Sequence, residues 1–156
     1  MISIYTQETM LFHTTFYVTN RSAECGVELG SVDSNSQVQL RTTDMGFELG
    51  YEGVERFRDI SLYQQGSVTA NNSDIQLQGQ NISITEQAIV SSTTRNSQAG
   101  GNLTVNASES IEIADTFRLD ERFPGASSGL VARVASSATG QGGNITGQTH
   151  LKYGRN

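Results

Sequence analysis

From Ile60 onward the chain is punctuated by short segments in which apolar and polar residues alternate. They are Ile60-Ser61-Leu62, Ser67-Val68-Thr69, Ile75-Gln76-Leu77, Ile82-Ser83-Ile84, Ile89-Val90-Ser91, Leu103-Thr104-Val105, Ile111-Glu112-Ile113 and Leu130-Val131-Ala132. In most of them the apolar residues stand at i and i+2, which places one set of side chains on each face of an extended strand. The intervals are regular. Ile75/Leu77 recurs as Leu103/Val105 after 28 residues, and Ile82/Ile84 recurs as Ile111/Ile113 after 29. Two strand positions sharing nearly one period predict a unit of about three strands that stacks on copies of itself. Neither Asn-Gly nor Asp-Gly separates these segments, as a hairpin protein would require, and no helical pattern of 10–15 residues lies between them.

The plainest repeat is Gly100-Gly101-Asn102-Leu103-Thr104, which returns as Gly142-Gly143-Asn144-Ile145-Thr146. Leu103 to Ile145 spans 42 residues, 14 more than the preceding interval. The excess lies between Ile113 and Leu130. Insertions in stacked repeats emerge as loops on one face, where recognition often resides. Phe117, Arg118, Asp120, Glu121, Arg122 and Phe123 in this stretch make it the candidate surface-contact loop, although a structural role, Phe117 and Phe123 folding it back on the wall, explains them more simply.

Residues 1–58 follow a weaker pattern. Val27-Glu28-Leu29 and Val38-Gln39-Leu40 alternate like strands, whereas residues 44–57 mix glycines, aromatics and acids in a way that suggests a loop with a short strand or helical turn. Residues 1–25 are expected to be an irregular N-terminal segment or cap, with residues 1–20 able to supply strands. The repeat region is placed at 26–146 and a non-repeat tail at 147–156.

Composition supports an all-β chain. Apolar residues are 35% and charged residues 17%, with 16 glycines, one proline and no tryptophan. The remainder is rich in Ser, Thr, Asn and Gln, residues of strands and turns rather than of helices. A net charge of −6 with ten dispersed Lys and Arg argues against nucleic acid. No apolar run of about 18 residues predicts membrane insertion, and Met1–Val18 lacks the basic start of a signal peptide.

Catalytic chemistry has few places to stand. His13 and His150 lie near opposite ends, Cys25 is the single cysteine, and no metal-ligand spacing joins them. A carbohydrate hydrolase would use clustered acids. Asp59 with Asp74, and Glu109 with Glu112 and Asp115, are the candidate groups, though solvated carboxylates and turn caps explain them more simply. Asp115, Asp120 and Glu121 form no recognisable calcium loop. Asn81, Asn102 and Asn144 begin Asn-x-Ser/Thr triplets and directly precede strand residues, where asparagine suits the turn geometry.

Several blocks in order carry a family resemblance. Gly26-Val27-Glu28-Leu29-Gly30-Ser31-Val32, Leu49-Gly50-Tyr51-Glu52-Gly53-Val54 and Phe57-Arg58-Asp59-Ile60-Ser61-Leu62 come first. Asp74-Ile75-Gln76-Leu77-Gln78-Gly79, Ala99 to Ser108, Ser127-Ser128-Gly129-Leu130 and Ala138 to Thr146 follow. Over residues 26–146 the chain resembles the region after the secretion domain in cyanobacterial filamentous-haemagglutinin-type, two-partner-secretion adhesins.

The resemblance implies a right-handed parallel β-helix, here of about three coils, in a secreted or cell-surface protein with no catalytic residues or cofactor. Glycans or cell-surface molecules are the expected partners, together with self-association through open coil edges. Because the secretion domain is missing from the sequence and the pattern stops after Thr146, the chain is expected to be an internal piece or truncated product. The alternative expectation is a polysaccharide-acting β-helix lyase or glycoside hydrolase. A fragment with no independent function is the third.

Overall fold

The computed structural model describes residues 2–6, 10–12, 15–18, 26–43, 46–114 and 127–149. These form β1 (Ile2–Thr6), β2 (Met10–Phe12), β3 (Thr15–Val18), β4 (Val27–Ser31), β5 (Gln39–Thr43), β6 (Gly46–Gly50), β7 (Ile60–Leu62), β8 (Ser67–Asn71), β9 (Ile75–Thr85), β10 (Ile89–Thr94), β11 (Leu103–Ala114), β12 (Gly129–Val134) and β13 (Ile145–Thr149). No helix occurs among the described residues. The fold is all-β, and every pairing between named strands is parallel except that of β5 with β6.

Three rows of strands account for the parallel pairings. The first row runs β1, β4, the first half of β9, the first half of β11, then β13. A second row, β2, β7 and the later halves of β9 and β11, belongs to the same seven-stranded sheet. The third row is the separate four-stranded sheet β3, β8, β10, β12. All eight alternating segments read from Ile60 onward lie in these strands. The N-terminal segment supplies β1 to β3, and the first row continues to Thr149 opposite Ala107.

Register explains the two spacings. Leu103 pairs with Ile75 and Ile111 with Ile82, but the ladder shifts between Ala107 and Ser110. One extra residue in β11 there forms a bulge, which turns the interval of 28 into 29. Burial along β9 changes phase at the same place, with Gln80 and Asn81 both only half-buried between buried Gly79 and Ile82. The long strand therefore bends and contributes to two rows.

Inward positions stack like on like. Val27, Ile75 and Leu103 share a level, as do Leu29, Leu77 and Val105, and each is at most 3% exposed. Ile60 and Ile82 stack beneath Ile111, while Val68 and Val90 face them from the third row in one cluster with Leu130 and Ala132. Full burial of each such side chain is worth about 1.5–3 kcal/mol. The protection fades at the last level: Ile84 is fully buried, whereas its partner Ile113 is 44% exposed, and Ile145 and Val134 are similarly open.

The corners differ from what the sequence signals. Tyr63–Gly66 and Thr85–Ala88 are tight turns closed by Gly66 N to Tyr63 O at 2.9 Å and Ala88 N to Thr85 O at 3.1 Å. Their central residues Gln64, Gln65, Glu86 and Gln87 all have φ between 52° and 66°. These are turns of the mirror-image type, normally written with Asn and Gly. Instead of closing hairpins they carry the chain from one sheet to the other. A hydrogen bond from Gln65 N to Glu86 O, 2.9 Å, ties one turn to the next.

The repeated Gly-Gly-Asn has a steric cause. A Cβ at Gly101 would lie 1.8 Å from Ser73 O, and one at Gly143 only 2.0 Å from Gly101 O. Backbone rests directly on backbone in this column, so neither glycine can carry a side chain without moving a strand. Gly101→Ala is expected to destabilise the protein by about 1–3 kcal/mol, the range of overpacked sites. Denaturant midpoints of the wild type and the variant measure it.

Candidate functional site

Two long outward-facing lines of polar side chains run across the first row. Glu28, Gln76, Thr104 and Thr146 occupy one register level, and Gly30, Gln78, Asn106 and Gln148 occupy the next but one. On β9 and β11 they alternate with the buried residues of the same strands, as strand geometry requires. The face carries amides and hydroxyls but, beyond β4, no charge. Asn106 Oδ1 is buried within it without a hydrogen-bond partner. In the second row, Ser83 Oγ donates to Ser61 Oγ at 3.0 Å, and in the third Thr69 and Ser91 hydroxyls meet at 3.2 Å.

At β4 this face is covered. The chain leaves the row after Val32 and returns at Phe57, where the two residues form an antiparallel bridge. Between them β5 and β6 form an antiparallel hairpin with Thr43 opposite Gly46. The mixture of glycines, aromatics and acids in residues 44–57 suggests a loop with a short strand or helical turn, and Gly46–Gly50 is a strand of this hairpin. In the structure Leu49 N donates to Glu28 Oε2 at 2.9 Å, and Gln76 Nε2 reaches Glu28 Oε1 at 3.4 Å. Tyr51 lies over Gly30 and packs edge-on against Phe57, with ring centroids 5.6 Å apart.

Glu28 is thus an outward-pointing carboxylate only 4% exposed. Burial pushes its pKa above the usual carboxylate value, and Glu48 adds to the rise; the Leu49 N–H and the Tyr51 hydroxyl oppose it. Burial, followed by the charge of Glu28, raises the Tyr51 hydroxyl as well. That hydroxyl makes no hydrogen bond of normal geometry; its influence on Glu28 is that of a nearby dipole. Nothing in the alternation of Val27-Glu28-Leu29 marks the glutamate as buried, because an insertion rather than the strand covers it.

The candidate acids have structural employment. Asp74 stands before the first row, and its Oδ1 accepts from Asn102 N at 2.7 Å. Asn102 Oδ1 in turn accepts from Asn144 N at 2.9 Å, so the residues preceding three strands cap one another in a ladder. Asp59 stands before the second row; its Oδ1 accepts from Asn81 N and Nδ2 at 3.1 and 2.9 Å. Asn81 Oδ1 continues the chain by accepting from Ser110 Oγ, 2.8 Å away. The two aspartates therefore serve different rows. Glu109 accepts from Gln80 Nε2 at 2.8 Å, and Glu112 lies on the outer side of the second row beside Ser83.

An open polar cleft of about 340 Å³ lies at the base of the insertion, lined by Asp33, Asn35, Ser36, Gly53, Glu55 and Arg56. Asp33 is bound there by Arg58 at 2.9 Å, which holds its carboxyl below the usual range. Among the described residues no three His, Cys, Asp or Glu side chains gather as a metal site. No helix among them is long and apolar enough to cross a membrane.

The contact loop expected at Phe117, Arg118, Asp120, Glu121, Arg122 and Phe123 lies outside the described residues, as do Asp115, Cys25, His13 and His150. Sequence reasoning did not single out the Gln76–Gln148 face, although its signal, the polar residue between each apolar pair, was in the alternation itself.

Comparison with known proteins returned no match to any family model, to any curated protein or to any solved structure.

The capping role makes a specific expectation. Asp59→Ala should cost about 1–3 kcal/mol, because it removes two hydrogen bonds and strands the Asn81 amide, whereas Asp59→Asn keeps an acceptor oxygen and should lie close to wild type. Thermal denaturation of both variants tests this. A catalytic carboxylate would give the contrary pattern in a polysaccharide viscosity assay, with Asp59→Asn as damaging as Asp59→Ala.

Proposed function

We propose that the chain is a non-catalytic structural and adhesive segment, a right-handed parallel β-helix whose flat polar wall makes repeated weak contacts with glycans. Stacked rows joined by tight corners support the β-helix reading, since a chain that visits the same three positions in turn winds as it stacks. The observation that carries the functional part is the uncharged amide and hydroxyl face of Gln76, Gln78, Thr104, Asn106, Thr146 and Gln148. Neighbouring strands stand about 4.8 Å apart, so the face offers hydrogen-bonding groups at a fixed pitch. Such an array suits a polymer with many hydroxyls, for which individually weak contacts add through multivalency.

The resemblance to filamentous-haemagglutinin-type adhesins agrees with this reading and makes a secreted or surface location the natural one. Capping by Asp59 and Asp74 counts against the polysaccharide-cleaving alternative, because both carboxylates are already engaged.

Retention on immobilised neutral and acidic polysaccharides tests the proposal. A variant combining Gln78→Ala, Asn106→Ala and Gln148→Ala should bind more weakly, by about 1 kcal/mol for each hydrogen bond lost, with an unchanged β-type circular dichroism spectrum. Deleting residues 116–125 distinguishes the wall from the loop: equal retention with and without the loop places adhesion on the wall. Retention of the triple variant at wild-type strength removes the wall from the binding surface.

A further inference from the structure

We propose that the β5–β6 hairpin is a pH-sensitive latch, closed over the β4 end of the polar wall and released as pH rises. Beyond the hairpin's base and the burial of the Leu49 side chain, the closed state rests on two contacts. One is the buried Glu28 carboxylate, which accepts from Leu49 N at 2.9 Å and meets Gln76 Nε2 at 3.4 Å. The other is the seat of Tyr51 on Gly30, where a Cβ would lie 2.3 Å from the tyrosine oxygen. The base is anchored separately, by the Val32–Phe57 bridge, Asp33 N to Arg56 O at 3.0 Å and Arg58 N to Ser31 O at 2.9 Å. Release of the two distal contacts therefore frees the hairpin while the row beneath stays paired.

The charges around Glu28 set the direction. Glu48 on β6 repels an ionised Glu28. Arg41 on β5, the one cation of the hairpin strands, is engaged by Glu52 rather than by Glu28. Tyr51, whose hydroxyl is pushed up, stays neutral. From the opposite side β9 offers only the neutral Gln76, and the β1 position opposite Glu28 is Ser3. Among the described residues no cation thus compensates the carboxylate, and the closed state favours its neutral acid. A carboxyl raised in the closed state contributes stability that is present below the ordinary carboxylate range and lost as pH climbs through the raised value. Opening exposes the levels of Glu28 and Gly30, which continue the lines of Gln76 and Gln78, so the wall gains a rung and an anionic group. That consequence rests on the contact-wall reading above. The latch itself does not.

Amide hydrogen exchange of the full chain between pH 4 and pH 8, corrected for intrinsic rates, reads the latch directly. Protection of residues 46–51 should fall with rising pH, by up to about tenfold for each unit by which Glu28 is shifted, while β9 stays protected. Glu28→Gln should make hairpin protection independent of pH. Gly30→Ala should leave the hairpin unprotected at every pH, with β9 unaffected. Constant protection in the wild type, an unchanged pH profile in Glu28→Gln, or a protected hairpin in Gly30→Ala overturns the latch. Retention on immobilised dextran, followed over the same pH range, is a separate readout: its absence at every pH beside the expected exchange profile overturns the contact-wall reading and supports the latch alone.

Discussion

Parallel pairing in fixed register is the constraint from which the remaining features follow. With a side-chain period of two, a slip of one residue would turn every inward Ile, Leu and Val outward. The inner strands are held against that slip from both sides, since Leu77 is flanked by Leu29 and Val105, and Val90 by Val68 and Leu130. Parallel strands cannot be joined by a simple hairpin, so the chain passes through the other rows before it returns to the same one. The tight corners, the glycine column and the caps on strand starts are solutions to that journey. The bulge after Ala107 shows how an extra residue is absorbed without disturbing the inward set on either side.

Legibility in the sequence followed how local each feature is. The alternation in Ile75-Gln76-Leu77 and Ile111-Glu112-Ile113 is local, and those segments became strands paired in the intervals their spacing implied. Asn102 and Asn144 were likewise readable as strand-flanking residues, and Asn102 Oδ1 accepts from Asn144 N, whereas Asn81 lies within β9 and its Oδ1 accepts from Ser110 Oγ. Two features were hidden. Gln64-Gln65 and Glu86-Gln87 adopt left-handed geometry without the Gly or Asn that would announce it, because the stacked turns hold them there. Burial of Glu28 depends on residues about twenty positions away, which no window on β4 contains. The polar wall was written in the same alternation as the core, but attention to the apolar residue passes over its partner.

The insertion between Val32 and Phe57 changes the character of the face it meets. On β9, β11 and β13 the outward residues of the first row are amides and hydroxyls. At β4 the same positions hold a carboxylate and a glycine, residues that fit a covered site: the carboxylate receives a backbone donor and the glycine leaves room for an aromatic ring. The local composition of β4 and the presence of the excursion are therefore parts of one arrangement. Removing either would leave the other mismatched, with an uncovered carboxylate and glycine on the wall on one side or an exposed Tyr51–Phe57 pair on the other.

The declining burial of the last level has a dynamic meaning. Ile113, Val134 and Ile145 contribute less apolar burial than the residues stacked beneath them, although their backbone pairing is the same in kind. Local opening free energies follow local burial, so the molecule is graded from a firm middle to a soft C-terminal edge. Native-state fluctuations will begin at β12 and β13 and work inward. Among the described residues β12 and β13 each pair with one neighbouring strand only, so the softest part of the chain is also its least enclosed.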